Sequence, residues 1–234
     1  MNWFQAYFLS IPAAPGRGQS RARNGRWCAL WLWLWLAGGP IPGAAQTLAA
    51  MAIQTLSQLN QLPDNPGGPG RPLRLTGVVL CCDPGWHQLY IFDGHETGYF
   101  NADEVQPPPI KGRQIELTGV ARGSNLLAGL QLTITGSGPL PPARSLQISG
   151  LGQDHAQWVE ITGRVMTAET SRGRLALLLH NQGLNALIYV LGSPPPNEFK
   201  KYLGCQVRVR GINASTTTLD GALDAPMLFV PGLD

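Results

Sequence analysis

Two stretches of the chain alternate apolar and polar residues with a period of two, the pattern of a strand with one buried face. The first covers residues 73–79, and the second, 86 residues later, covers residues 159–165. Each is interrupted by a glycine at the same place, Gly77 in one and Gly163 in the other. The repeated pattern predicts that two similar β units follow each other along the chain.

After each first strand the same order of signals follows: a second strand, a turn, a third strand, a proline triplet, a fourth strand and a fifth strand. A short polar helix, residues 197–202, is predicted between the third and fourth strands of the second unit, where the first unit has only residues 103–106. The remaining strands are predicted at residues 88–92, 99–102, 112–120 and 130–135 in the first unit and at residues 174–179, 186–190, 204–212 and 227–230 in the second.

Five strands with long first and fourth members are typical of a small Greek-key barrel of the oligonucleotide/oligosaccharide-binding (OB) type. We therefore predict an all-β chain with two tandem five-stranded OB-fold-like Greek-key barrels that pack together. Residues 48–62 have helical spacing and precede a linker rich in Pro and Gly. The predicted order is a signal peptide at residues 1–45, a short helix and linker at 46–70, the first barrel at 71–142, a connector at 143–156 and the second barrel at 157–234.

Residues 1–45 have the pattern of a secretory signal peptide. Four arginines precede an unbroken apolar run at residues 27–37, and small residues end the segment at Ala45. A signal anchor that stays in the membrane is the alternative, but the apolar run is much shorter than the roughly 20 residues that span a bilayer. We expect export to the periplasm or the extracellular space, with membrane contact only through this segment if it is not cleaved.

Composition separates this segment from the rest of the chain. The whole chain has 17 Lys and Arg against 14 Asp and Glu, a net charge of +3, and seven Trp. Residues 1–45 hold four of the arginines, five of the Trp and none of the acids, so the remainder has a charge of −1. A nucleic-acid binder is expected to carry clustered positive charge. We therefore expect no nucleic-acid partner.

Three cysteines remain after residue 45: Cys81, Cys82 and Cys205. Adjacent residues on a strand point to opposite faces, so Cys81 and Cys82 cannot readily bind one metal or pair with each other. Either of them could bridge to Cys205, or all three could be buried free thiols.

Residues 48–234 resemble the extracytoplasmic sensor region that precedes the membrane span in many bacterial hybrid sensor histidine kinases and related receptors. Three segments carry the resemblance: VVLCCDPGWHQLYIFD at residues 78–93 leading to TGYF at 97–100, QWVEITGRV at 157–165, and GCQVRVRG at 204–211. The resemblance implies a signal-receiving or ligand-contacting module outside the cytoplasm, with no reaction of its own. In that family a membrane helix and a kinase follow, and neither occurs in this sequence, which we expect to be a fragment, a truncated product or a stand-alone copy.

The loop between the first and second strands of the first unit is the candidate binding site. In OB barrels this loop and the face of strands two and three form the usual binding surface. Trp86, Tyr90 and Tyr99 would offer stacking faces there, with His87 and Asp93 as polar partners.

A packing role for the same loop is the alternative. Residues 83–85 would form a turn, and the ring of Trp86 would fold back over the mouth of the barrel to close its core. Trp158, at the start of the second unit, is expected to pack in a core or between the units.

Residue types that bind metals occur close together in the sequence: His87, His95 and Glu96, with Asp83 or Asp93. Hairpin geometry does not force these residues together, and none of them has the C-x-x-C or H-x-x-x-H spacing of strong metal motifs. We predict isolated surface histidines, no metal site and no cofactor.

Catalytic signatures are also missing from the sequence. It contains no G-x-S-x-G, P-loop or G-x-G-x-x-G motif, and its carboxylates are scattered rather than paired by strand or helix spacing. We predict that the chain has no catalytic residues and is not an enzyme.

The favoured function is therefore a non-catalytic sensory or ligand-binding module outside the cytoplasm, with an unknown small ligand or a partner protein. An exported structural domain that packs on a partner chain is the alternative. An oligonucleotide-binding barrel pair and an exported enzyme are the remaining hypotheses.

Overall fold

The computed structural model describes residues 51–153, 155–191 and 198–233. The predictions for residues 1–45 lie outside these ranges. Across the described residues, no helix has the length and apolar composition needed to cross a bilayer.

Strands are the main elements of the described residues, which confirms the prediction of an all-β chain. The first five form one sheet in the order β3-β2-β1-β4-β5. Its strands are β1 (Arg71–Asp83), β2 (Gln88–Phe92), β3 (Thr97–Asn101), β4 (Arg113–Ala121) and β5 (Leu127–Ser137).

A second sheet repeats this order with two more pairings, β13 with β9 and β6 with β7. It runs β10-β13-β9-β8-β7-β6, and β10 also pairs with β7, so five of its strands form a closed ring. The pairing between β13 and β9 is parallel, whereas the pairings around β7, β8 and β10 are antiparallel. Its strands are β6 (Arg144–Ser145), β7 (Trp158–Ser171), β8 (Arg174–Asn181), β9 (Leu184–Val190), β10 (Gln206–Asn213) and β13 (Met227–Val230), and a separate hairpin consists of β11 (Thr216–Thr217) and β12 (Leu223–Ala225).

The helical segments of the described residues are short. The α-helix α1 (Leu56–Asn60) begins at Thr55, whose hydroxyl accepts a hydrogen bond from the backbone N–H of Gln58. The prediction of a helix from residue 48 to 62 is too long, because Ile53 is extended and forms a parallel bridge with Leu73. Within the described ranges, four short 3-10 helices cover Pro84–Trp86, Ala102–Glu104, Ile148–Gly152 and Glu198–Tyr202.

The glycine in each first strand allows a close backbone approach. A Cβ atom on Gly77 would lie 2.7 Å from the carbonyl oxygen of Phe92, and one on Gly163 would lie 3.1 Å from that of His180. Both oxygens belong to the end of the second strand of the same unit. The repeated glycines therefore let β1 and β7 bend against their neighbours.

The predicted connector is largely part of the second unit. Arg144 of β6 pairs with Val159 of β7, and Ile148 and Leu151 of the following 3-10 helix are buried in the second core. The connector therefore adds apolar surface to the second unit as well as joining it to the first.

Each unit has its own apolar core, and a third cluster joins the two units. Trp158 is 6% exposed and lies in this third cluster, as expected from its place in the repeat. The buried members of the third cluster are Leu80, Cys81 and Tyr90 from the first unit and Trp158, Ala176, Tyr189, Leu191 and Ile212 from the second.

Candidate functional site

The loop between β1 and β2 is a tight turn. Asp83 ends β1, Pro84 starts the 3-10 helix, and His87 closes it in the left-handed region with a φ of 58°. The N–H of His87 donates to the carbonyl oxygen of Pro84 at 3.1 Å. Because of this turn, Trp86 points towards the second unit.

Trp86 is half-buried between aromatic and cationic side chains of the second unit. Its ring centroid lies 4.9 Å from that of Tyr189 and 5.9 Å from that of Phe229, both in edge contacts. The guanidinium of Arg174 lies 5.6 Å from the same ring. Trp86 therefore packs between the two units, a role different from both the ligand-stacking and the barrel-closing hypotheses.

A buried ion pair accompanies this contact. The Nε of Arg174 donates to one carboxylate oxygen of Asp83 and a terminal nitrogen donates to the other, each at 2.6 Å. The Asp83 side chain is 3% exposed and that of Arg174 is 18% exposed. Hydrogen bonding to this carboxylate raises the pKa of Arg174 above its ordinary value. The pair holds β1 of the first unit to β8 of the second.

Three of the predicted site residues lie together at the start of the β2–β3 hairpin. The rings of Tyr90 and Tyr99 have centroids 5.4 Å apart, and the Tyr99 hydroxyl donates to the carbonyl oxygen of His87 at 3.2 Å. The Nδ1 of His87 contacts a carboxylate oxygen of Asp103 at 2.5 Å. Tyr90 is buried, whereas Tyr99 and His87 are exposed.

The two tyrosines differ in their surroundings. Burial, followed by the nearby Cys81 and Tyr99, raises the pKa of Tyr90. Burial and then the charge of Asp103 raise the pKa of Tyr99. Both hydroxyls are therefore protonated donors at neutral pH.

Asp93 lies at the other end of the hairpin and has a structural role. One carboxylate oxygen accepts from the backbone N–H groups of His95 and Glu96, and the other accepts from that of Leu56 in α1. Burial acts to raise the pKa of Asp93, but the three donors together hold it below its usual value. The side chain ties the hairpin turn to the first turn of α1.

The five predicted residues therefore do not line one pocket: Trp86 faces the second unit and Asp93 binds the hairpin turn. Among the described residues, no three His, Cys, Asp or Glu side chains come close enough to hold a metal ion. Glu96 accepts instead from the side-chain amide of Asn60 at 3.2 Å.

The cysteines of the described region are free thiols with different exposures. Cys81 is buried in the cluster between the units, Cys82 packs against the first core, and Cys205 is exposed. The prediction that Cys81 and Cys82 face opposite sides of the strand is thus confirmed, and the exposure of Cys205 contradicts the alternative of three buried free thiols. Burial raises the pKa of the Cys82 thiol to about 11, with a further contribution from Asp83.

A cavity of about 400 Å³ opens into the second unit, a volume within the range of small-molecule sites (roughly 300–1,000 Å³). It lies where β10 and the chain after β13 separate. None of its residues belongs to a known binding motif, so the sequence alone does not indicate this cavity. The lining consists of Leu177, Ile188, Val190, Tyr202, Val207, Arg208, Val209, Arg210, Val230, Gly232 and Leu233.

Another cavity, of about 430 Å³, has a more polar lining that includes Gln153, His155 and Gln157. Phe92 and Trp158 contribute aromatic surface to it. Neither of these two cavities is lined by any of the five predicted site residues.

A positive excess lies on the outer face of β7 and β10. Arg210 pairs with Glu160 at 2.7 Å and Arg208 approaches the same carboxylate at 3.7 Å. Arg164 lies opposite Gln206 on the same face, where its Nε donates to the carbonyl oxygen of Gly204. Two guanidinium groups thus share the carboxylate of Glu160, and that of Arg164 lies farther along the same face.

No protein-family model and no curated protein matches this chain. Similar solved structures include a murine DNA-binding protein bound with double-stranded DNA, at 16% identity, covering 68% of this chain and 91% of that one with a TM-score of 0.32. The p202 HIN1 domain in complex with a 12-mer double-stranded DNA has 11% identity, covers 70% and 92%, and has a TM-score of 0.34. A putative aspartyl-tRNA synthetase from Leishmania major Friedlin has 13% identity and a TM-score of 0.29, covering 43% of this chain and only 22% of its own length. At these values, what this chain binds must be argued from its own residues.

The expectation of no nucleic-acid partner is corrected by these comparisons, because two of the similar structures contain double-stranded DNA. Its physical premise was also incomplete. A net charge of −1 is an average over the chain and does not report the local excess at Arg164, Arg208 and Arg210. Nucleic acid therefore belongs among the partners to be tested.

Proposed function

We propose that this chain is a non-catalytic binding module of two OB-type units, in which the second unit carries the binding site and the first supports it. The strand orders support this assignment, because each unit has a first strand flanked by its second and fourth strands. The observation that carries the proposal is the cavity of about 400 Å³ at the opening between β10 and the chain after β13.

The lining of this cavity supports binding without reaction. Its side chains are mainly aliphatic, with Tyr202, Arg208 and Arg210, and the described lining contains no His, Cys, Ser, Asp or Glu. Acid–base and nucleophilic catalysis usually depend on such groups. An apolar cavity with a few polar groups at its edge is typical of a ligand site.

The contact between the units supports a sensory role outside the cytoplasm, which the resemblance of residues 48–234 to receptor sensor regions suggests. A sensor must transmit the occupancy of its site to another part of the molecule. Here the buried pair of Asp83 and Arg174, together with Trp86, connects the two units. A structural change on binding in the second unit would be transmitted to the first unit through these contacts.

The binding proposal is tested by a thermal-shift screen of the full chain against aliphatic alcohols, aliphatic carboxylates, amino acids and sugars. We expect at least one compound to raise the Tm of the wild type. Val207→Trp should abolish that shift, because Val207 is half-buried and lines the cavity, so that an indole there fills it. Val120→Trp, at an exposed position of the first unit, is the control for added bulk.

Two results would contradict the proposed function. One is a screen in which no compound changes the Tm. The other is a compound whose effect is the same in the wild type and in Val207→Trp.

A further inference from the structure

The cavity exposes one edge of β10. Four consecutive residues, Val207 to Arg210, line it, although alternate residues of a strand point to opposite faces. Such a run indicates that the backbone edge of the strand, rather than one of its faces, borders the cavity. The side chains of Val207 and Val209 lie on the core side of that edge.

The hydrogen-bond pattern shows which backbone groups face the cavity. The N–H of Asn213 donates to Gln157, on the β7 side, whereas the N–H of Ala214 donates to Met227, on the β13 side. Antiparallel strands alternate in this way from one residue to the next. The N–H and C=O groups of Ile212, Arg210 and Arg208 therefore point away from β7.

Among the residues that the structure describes, Ile212 alone of these three has a partner on that side. The pairing of β10 with β13 comprises Ile212 with Phe229 and Asn213 with Leu228. In the same register Arg210 would lie opposite Pro231, which has no N–H to donate. In the described part of the chain, the outward N–H and C=O groups of Arg208 and Arg210 have no backbone partner.

A strand laid along this edge would meet two different surfaces. Its inward side chains would face Val207, Val209 and Val230, which are apolar. Its outward side chains would lie beside the guanidinium groups of Arg208 and Arg210, which share the carboxylate of Glu160. Cross-strand neighbours of opposite charge attract, and neighbours of like charge repel.

We propose that the free edge of β10 binds an extended peptide segment of a partner protein, with aliphatic and acidic residues at alternate positions, by strand addition. Backbone hydrogen bonds to Arg208 and Arg210 supply the affinity, and the valines and guanidinium groups select the side chains. This inference rests on the proposed binding function of the second unit and specifies its ligand.

The test uses a fluorescein-labelled hexapeptide of alternating Glu and Val, and fluorescence anisotropy with the full chain. Binding is expected to saturate. Methylating the amides that face β10 should weaken it about tenfold or more for each hydrogen bond lost. Methylating the intervening amides is the matched control, which keeps the composition and removes no bond to β10.

A charge exchange tests the side-chain selection independently. Arg208 is 67% exposed, so Arg208→Glu should leave the fold intact. This variant should bind the Glu-Val peptide about fivefold more weakly and a Lys-Val peptide correspondingly more tightly. Arg122→Glu, at an exposed position of the first unit, makes the same change in net charge and should alter neither affinity.

Three outcomes would overturn the inference: no saturable peptide binding, equal effects of the two methylation patterns, or no exchange of preference in Arg208→Glu. Binding of a short DNA duplex that depends on Arg208, without binding of the peptide, would overturn it in favour of nucleic acid. If small compounds raise the Tm through the cavity while the peptide fails to bind, this inference falls and the proposed function stands.

Discussion

Removal of Arg174 is the sharpest test of how the two units are joined. The change Arg174→Leu deletes both 2.6 Å hydrogen bonds to Asp83 and leaves that carboxylate 3% exposed in the native packing. It also removes the cation that lies 5.6 Å from the ring of Trp86. The remaining carboxylate would be an uncompensated buried charge.

The expected loss in the free energy of unfolding at pH 7 is about 3 kcal/mol. Breaking a buried pair by removing one partner costs about 3–5 kcal/mol, and the 18% exposure of Arg174 favours the lower end. With an m-value of about 2 kcal/mol per molar urea, the unfolding midpoint would fall by about 1.5 M. Urea titration followed by circular dichroism measures this change.

Two further variants separate the lost pairing from the lost side chain. In Asp83→Leu with Arg174→Leu no charge is left unpaired, so the free energy of unfolding should return to within about 1 kcal/mol of the wild type. Arg74→Leu breaks the exposed pair between Arg74 and Glu116 and should cost less than about 1 kcal/mol. Two results would contradict the stabilising role of the buried pair: a loss of stability in Arg174→Leu no larger than in Arg74→Leu, or a loss in the double variant equal to the sum of the two single changes.

Further predictions concern Asp93, the thiols and a bend in β1. Asp93→Ala should lower the free energy of unfolding by about 1–2 kcal/mol at pH 7, because three backbone donors lose their acceptor. Because the pKa of Asp93 is lowered in the folded state, this loss of stability should be complete above an ordinary carboxyl pKa of about 3.9 and should disappear as the pH falls through the lowered pKa. An equal loss of stability at pH 2 would contradict this pH dependence. Iodoacetamide should modify the exposed Cys205 first and the buried Cys81 only on unfolding. Cys82 should react more slowly than Cys205, at a rate that rises with pH towards its pKa of about 11. Peptide mass spectrometry follows the three reactions, and equal rates for Cys81 and Cys205 would refute this order. Gly77→Ala should lower the free energy of unfolding by about 1–3 kcal/mol in urea titration, because its methyl group would lie 2.7 Å from a backbone oxygen of β2. An unchanged free energy of unfolding would exclude this close approach.

The repeat was visible in the sequence because each unit contains the same local signals. Alternation defines strands with one buried face, and the second strand of the first unit and the last strand of the second unit begin and end at the predicted residues. The turn between β8 and β9 was also predictable. Gln182 and Gly183 have φ angles of 51° and 81°, the positive values of a two-residue hairpin loop.

The length of α1 was not predictable from local pattern. Helical spacing continues through residues 48–62, but Ile53 donates to Pro72 and accepts from Arg74, which holds it extended beside β1. A tertiary backbone pairing thus overrides a local preference that is weak in a short segment.

The turn between the first and second strands was predictable from the sequence, but the surroundings of its side chains were not. Aromatic residues near a turn identify the loop, but the position of the second unit determines where the ring of Trp86 packs. Asp93 is likewise a residue type that could bind a polar ligand. The structure shows instead that its carboxylate accepts hydrogen bonds from three backbone N–H groups and stabilises a turn.

The charged residues are visible in the sequence, but their ion pairs depend on the structure. The two units carry a cross-strand ion pair at the same repeated position with the charges exchanged, Arg74 with Glu116 in the first and Glu160 with Arg208 in the second. The sequence shows both charges but not that Arg210 is drawn to the same carboxylate.

By itself the sequence determined the strands, the order in which they recur and the division into two β units, because these depend on contacts between residues close in the chain. The tertiary structure alone decided that, among the described residues, the edge of β10 at Arg208 and Arg210 lacks a paired strand, since Pro231 is the residue opposite Arg210 only once β13 has paired with β10. It likewise decided that Asp83 and Arg174, 91 positions apart, share a buried ion pair, because their distance depends on how the two units pack.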